Sequence, residues 1–130
     1  MAAVEKMYSE YKDIVEFRYI YISEAHALDD KKPKEVAAAK NIYEHKTYKD
    51  RCSVANMFEK DKGTKVPIIV DTIDNKIANL YNGRPTRAFV IGTDGILKVT
   101  GDGGSRAYRQ NVVLVGEWLK KFKSTGKESQ

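Results

Sequence analysis

RAFVIGTDGILKVTG, residues 87–101, decides the fold because it predicts an antiparallel hairpin. Two apolar runs, RAFVIG and ILKVTG, flank Thr93, Asp94 and Gly95. A short polar link of this kind closes antiparallel hairpins. The strands that precede it along the chain decide what kind of sheet the hairpin completes.

Two strands and three helical segments are predicted before the hairpin, from hydrophobic spacing and residue type. They are a helix over 2–15, a strand EFRYIYI over 16–22, a helix-prone stretch over 35–60, a buried strand VPIIVD over 66–71 and a short helix over 74–82. The helix-prone stretch is expected to break near His45 and Thr47, where Thr47 and Asp50 are spaced as a capping box. Asn82 and Gly83 are expected to end the short helix.

After the hairpin, the sequence predicts a glycine loop at 101–104 and a final helix over NVVLVGEWLKKF, residues 111–122. The loop lacks the Lys-Ser or Lys-Thr of a phosphate-binding loop, so we interpret it as a turn. Residues 124–130 are polar and predict a flexible C-terminal tail. Residues 1–123 are therefore expected to form a single domain.

This order of elements predicts an α/β fold with a mixed sheet flanked by helices. The arrangement is thioredoxin-like, but it lacks the usual first strand, because the helix over 2–15 leads directly into the strand over 16–22. In redox proteins of this fold the reactive thiol or selenol lies just before that helix, whose N-terminus lowers the pKa of the group.

Composition narrows the class of protein. The net charge is +5, but lysines alternate with acids as on a solvated surface, and no basic stripe interleaved with aromatics indicates nucleic-acid binding. No apolar run is long enough to span a bilayer. A single cysteine, Cys52, rules out an internal disulfide, which favours a reducing, cytoplasmic location. We interpret Cys52 as a small buried hydrophobic residue in preference to a redox-active group.

Four motifs resemble the iodothyronine deiodinase family over nearly the whole chain. They are YISEAH at 21–26, HKTYKDR at 45–51, VDTIDNKIANLYNGRPTRAFVI at 70–91, and GDGGSRAY at 101–108 followed by EWL at 117–119. The chain departs from the family after the EAH motif, where Asp30, Lys31 and Lys32 stand in place of a Gly-Trp pair. This departure leaves the identity of the substrate open.

The resemblance implies a deiodinase-like oxidoreductase that acts on a small aromatic or halogenated substrate. It implies a selenocysteine or cysteine nucleophile a few residues before Met1, with Glu24 and His26 beside it and His45 near the mouth of the site. Arg87 is implied to bind the carboxylate end of an elongated substrate. No bound cofactor or metal is implied, and an external thiol is expected to restore the nucleophile.

The residues by themselves leave alternatives open. A carboxylate beside an imidazole raises the pKa of the histidine, which suits Glu24 and His26 to proton transfer. His45 could instead bond a carbonyl at a helix end, and Arg87 could form a structural ion pair. The whole chain could also be a non-catalytic thioredoxin-like module that lacks a redox centre, since a fold does not fix a function. A homodimer and an upstream membrane anchor stay open as well.

A selenocysteine codon is ordinarily taken for a stop codon when genes are predicted from DNA, so a reading frame that contains one would be restarted at the next methionine. We therefore expect Met1 to be such a restart, with the nucleophile and the first strand encoded upstream. An in-frame TGA or cysteine codon in the upstream DNA would meet this expectation.

Overall fold

A computed structural model describes residues 1–23 and 45–129 of the chain. In chain order its elements are α1 (Ala2–Tyr11), β1 (Tyr19–Tyr21), α2 (Tyr48–Lys62), β2 (Ile68–Val70), α3 (Lys76–Tyr81), β3 (Val90–Ile91), β4 (Leu97–Val99) and α4 (Ser105–Thr125). The chain folds into two compact units, Phe17–Tyr81 and Met1–Glu16 together with Asn82–Gln130. Each unit contains one pair of the strands that the structure describes.

The unit Phe17–Tyr81 is built on a parallel pair, in which Tyr19 of β1 lies opposite Ile68 of β2 and Tyr21 lies opposite Val70. Parallel strands need a long crossover between them, and α2 belongs to that crossover. The helix packs against β2. Ala55 of α2 and Val66, just before β2, are both almost completely buried, so they form the centre of this unit's core.

Local signals set the two ends of α2. At its start the hydroxyl of Thr47 accepts a hydrogen bond from the Asp50 amide (3.1 Å), and the Asp50 carboxylate accepts one from the Thr47 amide (3.1 Å). At its end Gly63 takes a left-handed conformation (φ 61°), which a residue without a Cβ adopts at little cost. The predicted capping box is thus confirmed.

The other unit is built on the antiparallel hairpin, in which Val90 of β3 lies opposite Val99 of β4 and Ile91 lies opposite Leu97. In the turn, the Gly92 amide donates to the Ile96 carbonyl (2.8 Å). Helix α1 packs against α4 in this unit. The core here includes Tyr11, Val90, Val115 and Leu119.

The α/β class with parallel and antiparallel pairing is confirmed, and it agrees with the predicted thioredoxin-like fold. The joining of all four strands into one sheet stays a prediction, because hydrogen bonds join the described strands as two separate pairs. None of the helices that the structure describes combines the length and apolar character that crossing a bilayer requires. The division into one domain at 1–123 and a tail at 124–130 also stays a prediction.

Several element bounds differ from the predicted ones. Helix α1 ends at Tyr11 and not at residue 15, and the predicted seven-residue strand over 16–22 is reduced to the three residues of β1. Helix α3 ends at Tyr81, with Asn82 at φ 50° as predicted for a helix end. Helix α4 begins at Ser105, six residues before the predicted start at 111. Residues 35–44 of the predicted second helix lie outside the described part of the chain.

Candidate active site

His45 lies two residues before the N-cap of α2, and its side chain is buried with 6% of the residue exposed. Its ring lies 5.9 Å from the ring of Tyr21, the last residue of β1. Its Nδ1 accepts a hydrogen bond of 3.1 Å from Nε of Arg51, one turn into α2. Because Nδ1 accepts this hydrogen bond, it does not donate to a backbone carbonyl at the helix end, which was the alternative for His45.

Arg51 is the centre of a buried polar cluster, with only 1% of the residue exposed. Its Nη1 donates to the carbonyl oxygens of Thr72 (2.5 Å) and Asp71 (3.4 Å), and its Nη2 donates to Oδ1 of Asn75 (2.9 Å). Together with Nδ1 of His45, these are uncharged acceptors. A buried charge is costly unless it is hydrogen-bonded, so these contacts compensate for the burial of the guanidinium and fix its orientation.

Asp71 holds the backbone that presents those acceptors. The residue is fully buried at the end of β2. Its Oδ1 accepts from the amides of Thr72 (2.8 Å) and Ile77 (2.9 Å), and its Oδ2 accepts from the amide of Ala78 (2.9 Å). The carboxylate thus satisfies N–H groups at the start of α3, which would otherwise lack partners. Asp71 also places the 71–75 loop against Arg51.

Cys52 lies next to this cluster in sequence but faces a different partner. It is half-buried, and Tyr48 lies one helical turn earlier. The pKa of Tyr48 is raised above its ordinary value of 10.0, mainly by hydrogen bonding with the Cys52 side chain and to a smaller extent by charge repulsion and burial. Cys52 thus has a hydroxyl neighbour, and a hydroxyl does not activate a thiol as a cationic side chain would.

Arg87 belongs to the other compact unit. Its Nε donates to the carbonyl of Thr100 (2.9 Å), and its Nη2 donates to the carbonyl of Gly101 (2.5 Å). The guanidinium carbon lies 5.2 Å from the centre of the Phe89 ring. These contacts tie the start of the hairpin strand to the residues that follow β4. They engage one edge of the guanidinium, and Nη1 is the nitrogen that does not take part in these two bonds.

A cleft of about 260 Å³ lies in the same unit, between the end of the hairpin and the first turns of α4. It is lined by Thr100, Gly101, Asp102, Ala107, Gln110, Asn111 and Leu114. Asn111 is buried below Gly101, and its Oδ1 accepts from the Ala88 amide (2.7 Å). Gly101 has φ 56°, and a Cβ there would lie 2.2 Å from Nδ2 of Asn111, so only glycine permits this packing.

The family model for iodothyronine deiodinase matches residues 1–123 of the chain. The chain belongs to the iodothyronine deiodinase family. The resemblance predicted from its motifs is therefore confirmed. The structure brings His45 and Arg51 of the HKTYKDR motif and Asp71 of the VDTIDN motif into one cluster.

Three relatives show how similar the chain is to characterised deiodinases. The type I iodothyronine deiodinase of Xenopus laevis is 28% identical over 110 residues, which are 83% of this chain and 41% of that protein. The thyroxine 5-deiodinases of Gallus gallus and Sparus aurata are 27% and 28% identical over 124 and 125 residues, each 95% of this chain and 46% and 44% of those proteins. The chain thus spans less than half the length of these deiodinase relatives.

The predicted site residues have different outcomes in this deiodinase family member. Glu24 and His26 lie outside the described residues. His45 and Arg87 are described, and each lies in a different compact unit. Sequence reasoning did not predict the roles of Arg51 and Asp71 at the cluster. One signal was present for Arg51, because it is spaced one turn before Ala55 on the buried face of α2, where a charged residue is unexpected.

Proposed function

We propose that this chain is the main part of a deiodinase-like oxidoreductase domain that reductively removes halogen from an aromatic substrate. The observation that carries the proposal is the match of the deiodinase family model over residues 1–123. The proposed nucleophile is a selenocysteine or cysteine encoded before Met1. The motifs shared with the deiodinase family support this part of the proposal, because the resemblance implies a nucleophile before the first helix.

In the proposed reaction the nucleophile attacks the halogen, the carbon–halogen bond breaks, and the ring carbon takes up a proton. A first external thiol then displaces halide and forms a mixed bond with the nucleophile. A second thiol attacks that bond, releases the nucleophile and leaves with the first as a disulfide. The substrate gains two electrons, and the two thiols supply them.

The proposed roles of side chains follow from the family motifs. Glu24 and His26 are proposed to move the proton beside the nucleophile, and His45 is proposed to contact the reacting groups near the mouth of the site. The burial of His45 and its bond to Arg51 support a fixed orientation for its ring. Arg87 is proposed to bind a substrate carboxylate, because a planar guanidinium matches a carboxylate well and Nη1 remains beside its two backbone bonds.

The substrate is proposed by chemical class, a halogenated phenol with a carboxylate at its far end. Of the three relatives described above, two carry the name thyroxine 5-deiodinase and one carries the name type I iodothyronine deiodinase. Asp30, Lys31 and Lys32 replace the family's Gly-Trp pair, which supports a substrate that differs from theirs.

The proposal is tested first in the DNA upstream of Met1, which should contain an in-frame TGA or cysteine codon. The longer protein translated through that codon should then release halide from an iodinated phenol with a dithiol as reductant. A Cys52→Ser variant is the control, because it should keep this activity if Cys52 is not the nucleophile. Loss of activity in a folded Cys52→Ser variant would indicate that Cys52 is the nucleophile. A longer protein that folds but releases no halide would refute the proposal.

The second candidate is a non-catalytic thioredoxin-like module. The contacts of Arg87 favour it, since two backbone carbonyls and the Phe89 ring already give this side chain a structural role. A non-catalytic module predicts no halide release from any iodophenol. If halide is released, Arg87→Lys tests the role of the side chain: a substrate-binding arginine predicts a larger rise in KM for carboxylated than for uncarboxylated iodophenols, and a structural arginine predicts the same change for both.

A further inference from the structure

The hydrogen bond between Arg51 and His45 determines which nitrogen of the imidazole carries hydrogen. An arginine guanidinium stays protonated in proteins, so Nε of Arg51 is always a donor. Nδ1 of His45, at 3.1 Å, must therefore present its lone pair. In the neutral ring the hydrogen then resides on Nε2, because neutral imidazole has one donor nitrogen and one acceptor nitrogen.

The rest of the cluster prevents Arg51 from turning away from His45. Three further bonds hold the guanidinium, to the carbonyls of Thr72 and Asp71 and to the amide oxygen of Asn75. Asn75 has φ 60°, a conformation that favours asparagine and glycine, and the 71–75 loop is held by the buried Asp71 carboxylate. The loop after β2 therefore fixes Arg51, and Arg51 fixes the ring of His45.

We propose that Arg51 is a positioning residue that holds His45 in the Nε2–H tautomer, so that His45 enters the reaction as a donor through Nε2. The part that concerns the reaction rests on the proposed function, and the part that concerns the tautomer does not. A hydrogen on Nδ1 would face the N–H of Arg51 across 3.1 Å, so this tautomer is excluded while the bond exists.

The tautomer is tested by nitrogen NMR on the 130-residue chain labelled with ¹⁵N in histidine and arginine. A His26→Gln variant assigns the signals, because the chain has only two histidines. We expect a protonated Nε2, an unprotonated Nδ1, and a scalar coupling across the hydrogen bond between Nδ1 and Nε of Arg51. A wild-type His45 with hydrogen on Nδ1 overturns the proposal, even if no variant of Arg51 folds.

Two variants then separate positioning by Arg51 from general support of the fold. Arg51→Met removes the donor to His45, and we expect hydrogen on Nδ1 to become populated. Asn75→Gly is the matched control, because it removes another acceptor of the same guanidinium, tolerates φ 60° and leaves the bond to His45 in place. An unchanged tautomer in a folded Arg51→Met variant contradicts the proposal, and so does an equal change in Asn75→Gly.

The role in the reaction is tested in the longer protein by measuring kcat/KM for His45→Gln, Arg51→Met and the double variant. We expect each single variant to lose activity on the order of a hundredfold, and the double variant to lose no more than His45→Gln alone. Losses that multiply would show that Arg51 acts independently of His45 and would overturn the positioning role. Full activity in His45→Gln would refute the catalytic role of His45 and leave the NMR result intact.

Discussion

Replacement of Asp71 by asparagine tests the buried cluster at the residue on which the 71–75 loop depends. The carboxylate accepts three amide hydrogen bonds of 2.8 to 2.9 Å, two on Oδ1 and one on Oδ2. An asparagine oxygen can keep the two bonds to Thr72 and Ile77, but the amide nitrogen would then face the N–H of Ala78. The variant thus loses a bond to a charged acceptor and leaves a buried N–H without a partner.

A hydrogen bond to a charged group contributes about 1.5 to 3 kcal/mol, and a buried unpaired donor costs a comparable amount. We expect Asp71→Asn to lower the free energy of unfolding by about 3 kcal/mol. Urea denaturation followed by circular dichroism measures the change, provided that the slope of the transition is the same in both proteins.

Asp74→Asn is the matched control for this prediction. Asp74 is exposed, and its carboxylate accepts from the hydroxyl of Thr72 on the same loop. The control should change the free energy of unfolding by no more than about 0.5 kcal/mol. If Asp71→Asn stays within about 1 kcal/mol of wild type, the carboxylate does not hold the loop as described.

Two further predictions concern the hairpin unit. Gly101→Ala should cost about 3 kcal/mol of stability, because it combines a left-handed φ with a clash against Asn111. Gly103→Ala should cost much less in the same denaturation assay, because its Cβ would lie at an ordinary contact distance of 3.9 Å from Nη1 of Arg87. The Lys98 ammonium lowers the pKa of Asp94 below its ordinary value of 3.8, so the stability from this pair is present above pH 3.8 and is lost as the pH falls through the lowered pKa. The carboxyl ¹³C resonance of Asp94 should titrate below pH 3.8 in the wild type and closer to it in Lys98→Met, and an unchanged midpoint would contradict the pairing.

The parts of the fold that depend on residues close together in sequence could be predicted. Thr93, Asp94 and Gly95 close a hairpin by their own turn preferences, and Thr47 and Asp50 form their capping box within one turn. The early start of α4 was not predictable from spacing. Its first six residues, SRAYRQ, follow the glycines of the 101–104 loop and are mostly polar, so the continuous apolar pattern becomes visible only after Asn111.

The candidate site also combines features that could be predicted from nearby residues with features that depend on distant ones. His45 was predicted from a motif, but no role was predicted for its partner Arg51, because most arginines lie on the surface. The bonds of Arg51 reach residues 20, 21 and 24 positions further along the chain, and such contacts exist only once β2 and α2 have packed together. Asp71 was predicted as the end of a strand, and its role as a cap for α3 depends on the path of the loop between them.

The most direct test of the proposed redox chemistry is the stoichiometry of turnover in the longer protein. Iodide release from an iodinated phenol and oxidation of the dithiol are measured in the same reaction. We expect one iodide for each dithiol oxidised, and no release once the proposed selenocysteine or cysteine nucleophile is replaced by alanine. Iodide release that proceeds without dithiol oxidation, or that survives the replacement, would contradict the account.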